Sequence, residues 1–421
     1  MRLNQALHIF SSGKYWATLC MALVSCAAHA LDLVSDFQKA MQFDPRYRAA
    51  VADKGVNMGL SDQAGVAYFP EANINTQRLQ NDTAGRRTVT ITQPLLSAEK
   101  WATLKMKEPR AGFAQANLMS QQNDLAARLF KAATAVVLAQ ENHRLNQAKL
   151  DALMQQADRA KRLYQLGQGT VTDLRDLEVK MAQSRAQHLL LATQIDSALR
   201  QYAAIVGERP NPRHFGLAPR HGAMPLPSLS DSANAAMERN PSVQAARMGE
   251  RVAELDLERA RGALMPTLSA AYINSTSANI TNISTGLVVN MPFQASTVVS
   301  HQLAQDNYQK ALESRREAEE KVRVEVERMW AQLQSGVELL KAQTEAIEAA
   351  QLSVEANMQS FQGGVRASVD VANAIQVVYQ VKSEYAALAV GQAENLLTLH
   401  TLVEAAPLEG IERAQRYLFA P

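Results

Sequence analysis

Tyr164-Gln165-Leu166-Gly167-Gln168-Gly169-Thr170-Val171-Thr172-Asp173-Leu174 returns, altered, as Phe361-Gln362-Gly363-Gly364-Val365-Arg366-Ala367-Ser368-Val369-Asp370-Val371, 197 positions on (164 to 361). Outward from this pair the punctuation stays in step. Asp44-Pro45 falls on Asn240-Pro241 and Tyr68-Phe69-Pro70 on Leu264-Met265-Pro266, both offset by 196, and Pro94 meets Pro292 at 198. Turn and break residues that recur in one order across two long halves imply one supersecondary unit used twice. The period lies far above the roughly 20–50 residues of solenoid repeats. The reading divides the chain into a leader at 1–30, a first unit at 31–207, a Pro-rich connection at 208–228, a second unit at 229–406 and a short tail at 407–421.

Each unit opens with helical text. Leu33, Phe37, Ala40 and Met41, then Tyr47 and Val51 after Pro45, follow helical spacing until Pro70. The text then turns to strands. Residues 73–81 are polar and β-tolerant, an Asn81-Asp82-Thr83-Ala84-Gly85 turn follows, and Thr88-Val89-Thr90-Ile91-Thr92 alternates, with Val89 and Ile91 on one face. In the second unit Leu268, Ala270 and Tyr272 alternate after Pro266. Ile283, Thr285, Leu287, Val289 and Met291 then share a face up to Pro292. Each half thus offers two strands of roughly 9–11 residues, the length a tilted outer-membrane strand requires. Isolated hairpins are marginal in water and carry bare edges, which closure into a barrel removes. Four strands fall short of the known minimum of about 8, so any barrel must be shared between chains. Two copies give 8 strands and three give 12; the residues alone leave both open.

The remainder reads as long helix. Only Pro109 interrupts 97–166, and 295–362 holds no proline; seventy helical residues reach about 105 Å. Val326, Leu333, Leu340, Ile347, Val354 and Phe361 recur every seven residues. Leu177, Met181, Ser184, His188, Leu191, Ile195, Ala198, Tyr202 and Ile205 step by alternating four and three, and the second unit repeats this from Ala374 to Leu402. A sustained seven-residue repeat imposes left-handed supercoiling, so these helices require neighbours in a bundle or α-barrel. The composition agrees: of 421 residues 47% are apolar, only 5% aromatic and 20% charged, with a net charge of +2 that gives no nucleic-acid footprint.

Arg2 and Lys14 precede the apolar stretch from Tyr15 to Val24, and Ala28-His29-Ala30 supplies a small-x-small cleavage pattern, so 1–30 reads as a secretory signal. Leu23-Val24-Ser25-Cys26 also resembles a lipobox, which leaves open a lipidated Cys26. Both cysteines, Cys20 and Cys26, lie in this leader, which excludes disulfides and thiolate chemistry from the exported chain. No other segment is apolar enough over about 20 residues to cross a membrane as a helix. A search for chemistry returns little. No His-Glu-x-x-His pair and no Gly-x-Ser-x-Gly elbow is present, so neither a catalytic residue nor a metal or cofactor is expected. Gly167-Gln168-Gly169 and Gly363-Gly364 read as helix C-caps, His188 as a hydrogen-bonded packing histidine in the seam, and Glu317-Ala318-Glu319-Glu320-Lys321 as a solvated helix face.

A leader, a duplicated helix–hairpin–long-helix unit, Pro before each strand pair, Gln93-Pro94-Leu95 after the second strand, and the two helical turns quoted at the start resemble the TolC family of outer-membrane efflux channels. The resemblance covers residues 31–406. It implies an α+β membrane protein of the Gram-negative outer membrane. Three chains would form a 12-stranded transmembrane β-barrel, four strands from each, joined to a periplasmic α-helical barrel of about 100 Å. It implies as partners a periplasmic adaptor and an inner-membrane ABC transporter or proton-driven pump, in contact with outer-membrane lipid. The implied function is an exit duct, with type I protein secretion preferred because an unlipidated N-terminus is commoner in that branch. Drug or metal efflux is the alternative, and a soluble periplasmic coiled-coil adaptor the alternative of another class. The resemblance also implies a gate at the turns. Thr172, Asp173 and Arg366 match residues that link the closed end, and Phe361 stands where a linking tyrosine is found. Asp370 matches one of two pore rings of aspartate in the family's namesake, while Asn373 replaces the other. The plainer reading of Asp173 and Asp370 is that they charge helix N-termini after the glycines. Gln294-Ala295-Ser296, where many members carry Gly-Gly, puts the second strand–helix join in question.

Overall fold

A computed structural model describes residues 32–78, 85–218, 226–278, 280–291, 294–404 and 406–419. The expected leader with Cys20, Cys26 and the Ala28-His29-Ala30 site lies outside the described residues, as do Asn81 to Ala84, Pro219, Pro225 and Pro292.

The Asp-Pro and Asn-Pro punctuation marks two matching helix joins. α1 (Leu33–Phe43) meets α2 (Pro45–Gly65) at Asp44, whose side chain accepts the Tyr47 N–H at 2.8 Å while Pro45 takes the first helical position. α6 (Leu229–Arg239) meets α7 (Pro241–Gly262) at Asn240, which accepts the Ser242 N–H at 2.9 Å. Asp44 has an additional task. It is 3% exposed and takes a two-pronged contact from Arg128, at 2.8 and 3.0 Å.

β1 (Glu71–Gln77), β2 (Arg86–Leu96), β3 (Thr267–Ser277) and β4 (Ile280–Asn290) form one antiparallel sheet in the order β1-β2-β3-β4. The hairpin of one unit therefore pairs with that of the other through β2 and β3. The register slips between Pro94 and Leu96, a bulge that accommodates a proline unable to donate to the ladder. Ile74, Val89, Asn274 and Ile283 form one cross-strand row, and Ala72, Ile91, Tyr272 and Thr285 the next. Ile74, Ile91, Ile283, Leu287 and Val289 are all exposed on this face. The opposite face carries Asn73, Asn75, Thr88, Thr90, Thr92, Ser275, Asn282 and Ser284, broken by Ile273, Ile280 and Val288. The outer edges of β1 and β4 have no strand partner among the described residues.

Below the sheet run α3 (Ala98–Lys105), α4 (Lys107–Gln165), α5 (Val171–Val206), α8 (Ala295–Gln362), α9 (Ser368–Val403) and α10 (Pro407–Leu418). The 68 residues of α8 span about 100 Å. Pro109, expected as the interruption, sits in the first turn of α4, where its missing N–H has no intrahelical acceptor to lose. The helix breaks at Met106, just past the Lys105 carbonyl that Pro109 cannot bond, and Met106 is fully buried with Ala64 and Leu255. The two strand–helix joins differ. Ser97 caps α3 by accepting the Lys100 N–H at 3.2 Å, whereas α8 starts after Gln294 with no side-chain cap. At the first join Tyr68 meets Trp101 edge to face at 6.3 Å and bonds both ends of Ser97 through its hydroxyl, while Gln93 Nε2 donates to the Tyr68 carbonyl at 2.9 Å.

The seam of α5 is buried or half-buried at all nine expected positions, from Leu177 to Ile205, and the seven-residue stripe of α8 likewise from Val326 to Phe361. The main core gathers Phe37, Leu125, Phe130, Tyr202, Val326, Leu397 and Ile411. Tyr202, in the seam, donates to Asp36 at 2.5 Å, and burial pushes its phenol well above the ordinary range. Where residues 407–421 were expected as a tail, α10 buries Ile411, Ala414 and Leu418, spaced three and four apart, in this same core. Glu319, expected on a solvated face, is half-buried and bridges α8 to α7 through Arg247 at 3.2 Å.

Candidate functional site

At the end of the helices away from the sheet, α4 passes into α5 and α8 into α9 through two equivalent turns. Gly167 (φ +74°) and Gly364 (φ +72°) occupy the left-handed region that a side chain disfavours. Gln168 N–H reaches back to the Leu163 carbonyl at 2.9 Å, and Val365 N–H to that of Ser360 at 3.0 Å, so each glycine closes a Schellman turn. These are the C-caps expected from the glycine spacing.

The next residues break the symmetry. Thr170 caps α5, its hydroxyl accepting the Asp173 N–H at 3.1 Å and donating to Asp173 Oδ2 at 2.6 Å. The equivalent cap of α9 is Ala367, whose methyl cannot accept a hydrogen bond. Ser368, fully buried, instead donates to Asp173 Oδ1 at 3.2 Å and ties the second turn to the first. Asp173 thus both charges its own helix start and holds a cross-turn link. A second tie lies two helical turns further along α5, where Lys180 Nζ donates to Asn373 Oδ1 at 2.8 Å. Leu153, Ala160, Leu177 and Ala372 pack between the two helix pairs just above.

Both turns face a cleft of about 630 Å³ whose walls include Arg159, Thr170, Asp173, Phe361, Arg366 and Ser368. The structure therefore gathers Asp173, Phe361 and Arg366 around one space. It gives no side-chain hydrogen bond or ion pair, among the described residues, to Thr172, Arg366 or Asp370 within the single chain. Asp370 lies in the first turn of α9 and Asn373 one turn later. Ser368 and Lys180, which make the two observed links, were not singled out from the sequence; their partners stand 195 and 193 positions away, close to the repeat offset. His188 packs with its ring 4.1 Å from that of His143, but its Nδ1 is buried without a hydrogen-bond partner, so the hydrogen-bonded role expected of it is not seen. Burial, and then the neighbouring His188, hold the His143 imidazole below its ordinary range.

Residues 38–208 and 233–403 each match the sequence profile of the family described as "Outer membrane efflux protein". The chain belongs to the outer membrane efflux protein family. The two matched segments coincide with the two halves of the repeat, and membership places the protein in the outer membrane as an exit duct. Among characterised members, the chain is 25% identical to the proteases secretion protein PrtF of Dickeya chrysanthemi, covering 87% of each chain. It is 24% identical to the alkaline protease secretion protein AprF of Pseudomonas aeruginosa, over 85% of this chain and 81% of that one. Against the outer membrane protein TolC of Escherichia coli the identity is 22%, over 87% and 81%. The fold matches the outer-membrane channel OprN with a TM-score of 0.76 at 16% identity, over 90% and 91% of the two chains. It matches VceC of Vibrio cholerae with 0.73 at 15%, over 89% and 95%. A long helical barrel joined to a β part, built from an internal repeat, is thus the fold of this efflux protein family member.

Proposed function

We propose that three copies of this chain close a 12-stranded barrel and that the duct exports protein, in series with a periplasmic adaptor and an inner-membrane ABC transporter. The observation that carries the secretion branch is the near end-to-end match to two relatives whose names specify protease secretion. The open edges of β1 and β4 support assembly, since an unpaired edge is a template for another strand and closure removes it. In such a barrel the Ile283, Leu287 and Val289 face meets lipid, and the Thr- and Asn-rich face lines a hydrated lumen. Substrate then passes through without covalent chemistry.

The turn end is the gate in this reading. Asp173–Ser368 and Lys180–Asn373 hold the two helix pairs of each chain together, and outward movement of α8 and α9 must break them. Three Asp370 carboxylates, one per chain, form the pore ring that attracts cations. In vivo cross-linking followed by purification and mass spectrometry tests the partner assignment. An adaptor and an ABC-type ATPase recovered with the duct support secretion; a proton-driven pump in their place refutes it and favours small-molecule efflux.

A further inference from the structure

We propose that His400, Glu404 and Glu409 form a binding site for a divalent transition-metal ion of the zinc type, clasping the end of α9 to the start of α10. His400 is 6% exposed, and both its ring nitrogens are buried without a hydrogen-bond partner. Glu404, one turn along α9, brings Oε2 to 3.0 Å from His400 Nε2, yet out of line for a hydrogen bond. Glu409, exposed in the first turn of α10, completes the group: one donor atom from each of the three lies within 4.8 Å of the others. Zinc bonds of about 2.0–2.1 Å set tetrahedral donors roughly 3.3 Å apart, so the His400–Glu404 contact already has ligand spacing. Rotation of the exposed Glu409 side chain closes the rest.

The surroundings fit this use. Gly410 is the residue that lets α10 lie against the imidazole, because a Cβ there would stand 3.3 Å from His400 Nδ1 and 2.9 Å from a Leu397 methyl. Arg413 Nη1 lies 3.9 Å from Glu404 Oε1, the oxygen turned away from His400. That is beyond hydrogen-bond distance, but the guanidinium charge attracts the Glu404 carboxylate. One imidazole and two carboxylates suit zinc better than calcium or magnesium, which prefer all-oxygen sites. The family profile ends at residue 403, so the two carboxylates belong to a part of the chain that it does not describe. A metal here would pin α10, and with it Ile411, Ala414 and Leu418, onto the core shared with α1 and α4.

The test uses the full-length protein in detergent, purified without a histidine tag, stripped with chelator and titrated with Zn²⁺. Bound metal is read by plasma mass spectrometry and calorimetry, and Tm is read with and without Zn²⁺. One zinc per chain and a zinc-dependent rise in Tm are expected for the wild type. Glu409→Gln, at an exposed position that leaves folding intact, is expected to weaken binding at least about tenfold, and His400→Asn to abolish it. Fewer than half a zinc per chain in the wild type overturns the proposal. Equal binding by Glu409→Gln and wild type overturns it as well, because the zinc would then be held by other histidines. If His400→Asn fails to fold, Glu409→Gln decides.

Discussion

Replacing Ser368 by alanine removes one cross-turn hydrogen bond and leaves the Thr170 cap of α5 untouched. The bond runs from a buried hydroxyl to a half-buried carboxylate at 3.2 Å, longer than a strong charge-assisted contact. Its net worth is about 1 kcal/mol, below the roughly 1.5–3 kcal/mol of a well-shielded bond to a charged group. Three chains that open as one iris lose about 3 kcal/mol together, which shifts the closed–open equilibrium about 100-fold. In planar bilayers at neutral pH, Ser368→Ala should raise the open fraction at low voltage by about that factor while the trimer's Tm falls by only about 1 °C. Asp173→Asn should do at least as much, since it also weakens the bond from Thr170 at 2.6 Å. A Ser368→Ala channel that folds, assembles and conducts within twofold of the wild type would refute the latch.

The junction of α1 and α2 yields a stability test. Asp44→Asn keeps the cap but loses the ion pair and should cost about 2–3 kcal/mol, the lower range because Arg128 retains Asp124 at 2.8 Å; Asp44→Ala should cost about 1 kcal/mol more. The hydrogen bond from Arg128 holds the Asp44 carboxyl below its ordinary value of 3.8, despite burial. Its contribution is therefore complete above about pH 4 and is lost as pH falls through the lower folded value, so denaturant curves of wild type and Asp44→Asn should converge in strong acid and separate at neutral pH. Gly336→Ala should lower Tm by an amount equivalent to about 1–3 kcal/mol, because a Cβ there would stand 1.7 Å from Gln392 Nε2, which donates to the Leu333 carbonyl from a buried position; an unchanged Tm would show that α8 and α9 are not in van der Waals contact there. Asp370→Asn should weaken divalent-cation block of the conductance about tenfold or more, and unaltered block would remove Asp370 from the pore ring.

The parts of this structure legible in the sequence are those set by local chemistry. Gly167 and Gly364 had to be turn residues because positive φ excludes most side chains, and Asp44-Pro45 and Asn240-Pro241 had to be helix starts because cap and proline act together. Strand alternation around Val89 and Ile91 revealed two chemically different sheet faces. Pro109 was readable as the interruption because it cannot donate to the Lys105 carbonyl four residues back, so α3 ends at Lys105 and α4 starts afresh with the proline in its first turn; what the text did not give is that Met106, at the join, is buried against Ala64 and Leu255. The amphipathic spacing of Ile411, Ala414 and Leu418 was present in the text of the supposed tail. At the gate, Asp173 was readable as a charge at a helix start, but the hydroxyl of Ser368 and the ammonium of Lys180 find partners in the other unit. No local pattern encodes such a pairing; it follows only once the two repeats are laid side by side.

Export of polypeptide through this duct is tested most directly by the medium of a strain that lacks the gene. Quantitative mass spectrometry of the secreted proteins should show a small set of large polypeptides lost, and restored by the wild-type gene, with susceptibility to small toxic compounds unchanged. A secreted set identical to that of the parent, alongside increased retention of dyes, drugs or metal ions, would contradict the account.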